Sequence, residues 1–277
     1  MRIGIVGRGA VGTIFAEALR EVAEVRSAGR DDAPPLALAD VDVIFNAVKS
    51  YDAIAALQAL RGIVRADVPI VALQNGVEQV THVDAALGPV RAVILAPTTE
   101  GGARDEAGKI RRTGRGTTTL GWAAGREGGF DLSGLVELLR AAGFEAREAA
   151  PIEPHAWAKL VANVAINPIT ALARQPNRYV VENAAARALA LVLAREAATV
   201  AVAEGIMLPF EDAGEFALAV ARESAANRSS MLQDIERERA TEVEALNGVV
   251  VRRGRVHGIA TPENARVLDE VRRLSKS

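Results

Sequence analysis

Lys159, Asn163 and Asn167 fall four residues apart in the stretch W-A-K-L-V-A-N-V-A-I-N-P-I-T that runs from Trp157 to Thr170. On a helix this spacing stacks the three side chains along one face. The residues between them, Leu160, Val161, Val164, Ala165 and Ile166, are apolar. Burying an amide or ammonium without partners costs about 1–3 kcal/mol or more. The stripe must therefore meet water, a protein partner or a ligand. One cation and two amides in line suit a small oxygen-rich molecule, because the ammonium can give a proton and the amides donate and accept. The same pattern also fits the solvated face of a surface helix, and this stretch alone leaves both readings open.

A second chemical pattern lies at the start of the chain. Arg2-Ile-Gly-Ile-Val-Gly7 reads as a buried strand, and Thr13 to Arg20 reads as a helix. Between them stands G-x-G-x-x-G, formed by Gly7, Arg8, Gly9, Ala10, Val11 and Gly12. In that context the motif predicts a dinucleotide site. Gly7 permits the tight turn, Gly9 lets the backbone approach a pyrophosphate, and Gly12 lets helix and strand pack closely. The helix N-terminus adds N–H groups and positive dipole. A glycine-rich turn without ligand is the plainer alternative.

The ends of the following strands carry further candidates. The second strand runs from Glu24 towards Arg30, followed by Asp31 and Asp32. An arginine there favours the 2′-phosphate of NADP, whereas an acid favours the ribose diol of NAD. Arg30 lies nearest the strand end, so NADP is the expected cofactor. The next strand, 42–48, delivers Lys49 to its carboxyl end, where open α/β sheets bind ligands; a lysine snorkelling at a strand end is an equal alternative. A helical pattern covers 51–64. The strand 69–73 ends in Gln74-Asn75-Gly76, which is a turn or an amide aimed at a ligand. A strand over 90–96 leads to Thr98, Thr99, Glu100, Gly101 and Gly102, and 109–122 reads as an antiparallel hairpin. A helix over 132–143 and a strand over 144–148 complete an alternating pattern.

After Pro151 and Pro154 the pattern changes to long Ala/Leu/Arg/Glu segments. Four to six helices are expected, including 183–204, 212–226, 231–254 and 263–274. Asn227-Arg-Ser-Ser230 precedes the third of these; Ser229 and Ser230 read as N-caps, with Gln233 completing a capping box. Thr241-Glu242 falls inside it. The expected architecture is α/β: a Rossmann-type doubly wound domain over 1–150 and an all-α domain over 151–277.

Composition narrows the function classes. The chain has 277 residues, a net charge of -2, no Cys and three His. Disulfides, thiolate metal sites and cysteine nucleophiles are thereby excluded. Nothing points to nucleic acid, and no metal site is expected. No apolar run is expected to span a bilayer, and no leader is expected at the N-terminus, so the protein is expected in the cytoplasm.

Taken together, the motifs resemble those of the ketopantoate reductase family along nearly the whole chain. The resemblance rests on Gly7–Gly12, Lys49, Gln-Asn-Gly at 74–76, and K-L-x-x-N-x-x-I-N-P-x-T-A from Lys159 to Ala171. It extends through S-S-M-L-Q-D at 229–234, T-E-x-x-x-L-N-G at 241–248 and H-G-I-A-x-P-E-N at 257–264. It implies NADPH-dependent reduction of 2-dehydropantoate, on the route to pantothenate and coenzyme A. It implies that Lys159 is the general acid and that Asn163, Asn167, Asn177, Asn227 and Ser230 bind substrate. Asn75 would touch both cofactor and substrate. Lys49, Gly102 and Glu242 would contact cofactor, and Glu242 would also orient Lys159. The expected partner is a small 2-oxo acid; the sequence does not set the oligomeric state and leaves a homodimer open. Two alternatives stand beside this reading: a paralogous reductase of another branched 2-oxo acid, and a non-catalytic dinucleotide sensor. Intact Lys159, Asn75, Ser230 and Glu242 argue against the sensor. The loop 31–39 is shorter than is usual in the family.

Overall fold

The computed structural model describes residues 1–32, 34–105 and 107–275. The chain divides into two compact units, one formed by Met1–Gln74 and Glu78–Glu153, the other by Asn75–Val77 and Pro154–Ser277.

Among the described residues, the first unit is built on nine strands and four α-helices. They are β1 (Arg2–Val6), α1 (Ala10–Leu19), β2 (Glu24–Ala28), β3 (Val43–Asn46), α2 (Ala53–Gln58), β4 (Ile70–Ala72), α3 (Gln79–Leu87), β5 (Val93–Leu95), β6 (Gly101–Arg104), β7 (Ile110–Gly114), β8 (Thr117–Trp122), α4 (Leu132–Ala141) and β9 (Glu145–Glu148). Seven strands form one sheet in the order β2-β1-β3-β4-β5-β8-β9. The first five are parallel; β8 runs antiparallel to β5 and parallel to β9. Apolar residues on alternate strand positions feed two cores. Ile3, Ile5, Val43, Phe45, Val71 and Ile94 pack with Phe15 of α1 and Leu135 of α4. Val6, Ile44, Ile70, Ala72 and Val93 pack with Leu57 of α2 and Val83 of α3. Burial on both faces is what a parallel sheet between helices requires, and this is the Rossmann-type α/β fold.

Three elements of this unit differ from the sequence expectation. The segment 109–122 is not a hairpin. β7 pairs with β6 in a separate two-stranded sheet, while β8 joins the main one. The burial of Thr118, Thr119 and Leu120 draws β8 into the main sheet. Glu100 meanwhile anchors β7 through Arg112. Helix α3 escaped the sequence reading because its polar start hides the buried Val83 and Ala86. The helix expected over 51–64 is regular only from Ala53 to Gln58.

The second unit is helical: α5 (Glu153–Ala173), α6 (Arg178–Glu182), α7 (Ala184–Ala203), α8 (Ala213–Glu223), α9 (Ser230–Glu236), a π-helical turn (Glu244–Gly248), α10 (Val249–Val256) and α11 (Pro262–Leu274). Asn183 and Asp212 cap α7 and α8 by accepting from Ala186 and Glu215 N–H groups. Helix α5 is long and apolar enough to cross a membrane, contrary to expectation, and 78% of its most apolar window is buried within the protein. It is the core helix of its unit. The expected single helix 231–254 is broken. α9 ends at Glu236, and Glu238 takes a φ of 52°. The N–H groups of Glu238 and Arg239 return to the carbonyls of Ile235 and Asp234, a Schellman stop.

Candidate active site

Between Ala156 and Ala171 every residue of α5 is buried except Lys159 and Asn163. The helix is therefore no solvated surface element. Its polar stripe opens a window at Lys159 and Asn163 and then dips into the interior at Asn167, which is buried. Desolvation lowers the Lys159 pKa from 10.5 to about 8, and the charge of Glu242 opposes that fall. An ammonium tuned towards neutral pH can hold and release a proton under physiological conditions.

Glu242 lies in the break between α9 and the π-helical turn and is buried. It accepts a hydrogen bond from Asn75 Nδ2 at 3.0 Å. Asn75 reaches it because the tripeptide Asn75–Val77 groups with the helical unit. Gly76 takes a φ of +94°, and a Cβ there would meet the Ala245 carbonyl oxygen at 2.7 Å, so only glycine allows this approach. Lys159, Glu242 and Asn75, separated by up to 167 positions in sequence, thus form one cluster.

A second cluster continues along the same helix. Thr170 Oγ1 lies 2.9 Å from the Asn167 carbonyl oxygen and 2.7 Å from Ser229 Oγ. Ser229 is the N-cap of α9 and accepts from Leu232 N–H. Ser230 is exposed beside it. The expected capping box does not form, since Gln233 donates instead to the Arg228 carbonyl. The Asn177 N–H donates to the Asn227 carbonyl at 2.9 Å, and Asn177 Nδ2 donates to Ser224 Oγ. Asn177 is buried by these contacts, and Asn227 is exposed. Residues from three distant motifs are therefore brought together here, two of them, Ser229 and Asn177, as parts of the framework.

Of the expected dinucleotide residues, Asn75 and Glu242 belong to the helical unit, and the others sit in the first unit. A Cβ at Gly7 would meet the backbone of Ala47 and Val48 at 2.9 Å, and one at Gly12 would strike the Gly7 carbonyl oxygen. Both glycines are needed by the fold. Among the described residues, a Cβ at Gly9 would meet nothing within 4 Å. Internal packing gives no reason for glycine at that position, whereas close approach of a phosphate does. Gly9 is also the N-cap of α1, with no side-chain cap and no acid in the first turn, so Ala10 and Val11 start an uncapped helix. Asn46 Oδ1, at the end of β3, and Gln74 Nε2, beyond β4, are buried polar atoms without a hydrogen-bond partner among the described residues, at the carboxyl edge of the sheet. These features fit a bound dinucleotide. Lys49 is partly buried three residues past β3. Gly102 lies against Ala10 and Ile14 of α1, where an added Cβ would have to displace the Ile14 side chain. At the end of β2 a cavity of about 390 Å³ is lined by Arg8, Asp31 and Asp32 among others. Asp32 accepts from Gly29 N–H and pairs with Arg8, both at 2.8 Å. Arg30 is outside that lining; its side chain is 83% exposed and pairs with Asp52.

A lysine of lowered pKa in one unit and a Gly-rich βαβ turn in the other fit one class: a Rossmann-type, dinucleotide-dependent oxidoreductase. Residues 25–125 match ketopantoate reductase PanE/ApbA, and residues 151–275 match its C-terminal domain. The 2-dehydropantoate 2-reductase of Archaeoglobus fulgidus is 37% identical, over 84% of this chain and 76% of its own. That of Pyrobaculum aerophilum is 33% identical, over 94% of this chain and 93% of its own. The chain belongs to the ketopantoate reductase family. Among solved structures, the PanE/ApbA family ketopantoate reductase of Ralstonia eutropha JMP134 superposes with a TM-score of 0.88 at 26% identity, covering 100% of this chain and 99% of the other. D-mandelate dehydrogenase, solved with NADH and anilino(oxo)acetate, shares the fold with a TM-score of 0.87 at 20% identity, covering 100% and 99%.

Two functional features were invisible in the sequence. The break that frees Glu242 has no glycine to mark it. The burial of Asn177 depends on Asn227 and Ser224, 50 and 47 residues further along the chain.

Proposed function

We propose that the protein reduces 2-dehydropantoate to pantoate with NADPH, in the route to pantothenate and coenzyme A. The observation that carries this is the window at Lys159 and Asn163 in the otherwise buried stretch 156–171 of α5, with Lys159 desolvated near Glu242. When bound, the dinucleotide supplies the hydride. Negative charge builds on the ketone oxygen, and the Lys159 ammonium neutralises it by donating its proton. Asn163 and Asn167 serve the substrate's oxygens as amide donors, and Ser230, with Asn227 nearby, takes its carboxylate. Asn177 holds the Asn227 segment through its backbone and adds a substrate contact. Glu242 keeps Lys159 charged, and Asn75 fixes Glu242 while facing both ligands. Gly7 to Gly12, Lys49 and Gly102 serve the dinucleotide.

Arg30 is the residue offered to a 2′-phosphate, since its exposed side chain can leave Asp52. The two carboxylates of the β2 cavity support NADH as a second reading, because Asp32 can accept from a ribose diol. Oxidation of NADPH and of NADH, each with 2-dehydropantoate and with a panel of branched 2-oxo acids, tests the assignment. Turnover confined to 2-dehydropantoate and NADPH is the expected result. Preference for another 2-oxo acid would overturn the substrate, and preference for NADH would move the cofactor assignment from Arg30 to Asp32. Dinucleotide binding without any turnover would favour a sensor.

A further inference from the structure

Helix α5 contains Pro168 in its interior, directly after Asn167. Proline has no N–H, so the carbonyl four residues back, that of Val164, loses its helical hydrogen bond. Val164 is 0% exposed, so water cannot replace the lost donor. A buried carbonyl left alone is costly. The structure supplies the missing donor from elsewhere: Asn247 Nδ2 points at the Val164 carbonyl oxygen at 3.3 Å.

Asn247 is held for this task. It is 0% exposed and lies in the π-helical turn. Its second amide hydrogen goes to Asn264 Oδ1 at 2.9 Å. Asn264 Nδ2 in turn donates to Glu196 at 2.8 Å and to the Leu193 carbonyl at 3.2 Å. Glu196 also accepts the backbone N–H groups of Glu263 and Asn264, which caps α11. The Asn247 Oδ1 atom has no hydrogen-bond partner among the described residues. The residue therefore keeps its donors in use while its acceptor goes unmet, which is the pattern of a side chain selected for donation.

The segment that carries Asn247 begins at Glu242, the carboxylate acting on Lys159. One short stretch thus meets α5 twice, electrostatically at Lys159 and by hydrogen bond at the turn between Asn163 and Asn167. We infer that Asn247 is a positioning residue: by giving Val164 the hydrogen bond that Pro168 withholds, it sets the α5 turn that aligns Lys159 and Asn163 with Glu242. The catalytic half of this inference rests on the function proposed above; the hydrogen-bond replacement does not.

The test is a cycle of Asn247→Ala, Pro168→Ala and the double variant, read by Tm, by kcat and KM, and by the pH profile of kcat/KM. An alanine in place of Pro168 brings back the N–H and can itself bond to the Val164 carbonyl. Asn247→Ala is expected to lower Tm by about 3 °C or more, to cut kcat about 10-fold, and to shift the descending limb of the pH profile. The double variant should recover most of these losses. If Asn247→Ala fails to fold and the double variant folds, that is the same rescue. Additive losses, or two variants that both fail to fold, would overturn the inference. Rescue of Tm in a protein that turns over no 2-dehydropantoate would leave the hydrogen-bond replacement standing and refute the proposed function instead. Rescue of Tm without rescue of kcat in an active enzyme would refute the positioning role.

Discussion

In the first unit the candidate dinucleotide site is made of backbone: Gly7 and Gly12 allow a turn that the fold needs, and Gly9 leaves open space. In the second unit the candidate chemistry is made of side chains held at a distance, Lys159 on α5, Glu242 in a helix break and Asn75 from a remote tripeptide. The first kind of site is local and depends on spacing. The second depends on where helices stop and on which polar groups they bury. Substitutions should therefore act differently in the two units, through binding in one and through proton transfer in the other.

The largest expected effect is that of Lys159→Ala. It should cut turnover by roughly 100-fold or more, the usual scale of lost acid–base help. Dinucleotide affinity, measured by fluorescence titration, should be unchanged. Equal loss of binding would break the division of labour between the units.

The glycines sharpen the comparison from the other side. Gly12→Ala would press a methyl group into the Gly7 carbonyl, and overpacking of this kind costs about 1–3 kcal/mol. It should lower Tm. Gly9→Ala meets no described protein atom and should leave Tm in place while weakening dinucleotide binding about 10-fold. A destabilised Gly9→Ala protein would show that the open space is not reserved for a ligand.

Lys159 also carries a stability signature. Its native pKa, about 8, lies below the 10.5 of an unperturbed lysine. Between those values the unfolded chain binds the proton that the native protein has released, so wild-type stability rises with pH across that window. Below about pH 8 the burial penalty is present in full. Lys159→Met should therefore stabilise the protein at pH 7 by about 1 kcal/mol or more, and its advantage should shrink as pH rises towards 10.5. Denaturant unfolding at pH 7 and pH 10 reads this directly. A pH-independent difference would refute the desolvated charge.

The smallest effect concerns the helix stops, which also explain what was legible. Gly143, Gly205 and Gly258 each sit at a left-handed stop of the Schellman type. Glycine is the residue that favours that conformation, and two of these stops fall where the sequence ended α4 and α7. The same stop occurs at Arg174 and Glu238, both with a φ of 52° and neither a glycine. These two flank the candidate chemistry: Arg174 closes α5, and Glu238 frees the segment carrying Glu242. The sequence therefore showed a continuous helix over 231–254 where the structure has a break. Glu238→Gly should raise stability by up to about 1 kcal/mol without changing turnover. No gain in Tm would mean that the surrounding hydrogen bonds already compensate the glutamate.

The parallel strands of the first unit were legible because buried apolar runs end in turn residues. The separate pairing of β6 with β7 was not, because the partner of β7 is chosen by Glu100 and Arg112 rather than by pattern. In the second unit the long motifs gave the family resemblance, but not which residues face a ligand. Asn247 and Asn264 stand in those motifs as fully buried framework, while Lys159 and Asn163 reach the window.

The proposed reaction requires a desolvated Lys159 that donates a proton while Glu242 supports its charge. The most direct measurement is kcat/KM for 2-dehydropantoate against pH, in wild type and in Glu242→Gln. The glutamine keeps an oxygen for Asn75 but removes the charge. Activity is expected to fall as pH rises through about 8 in wild type, and this limb is expected to move to lower pH in the variant. A flat profile to pH 10, or a limb that stays in place when Glu242 loses its charge, would contradict the proposed reaction.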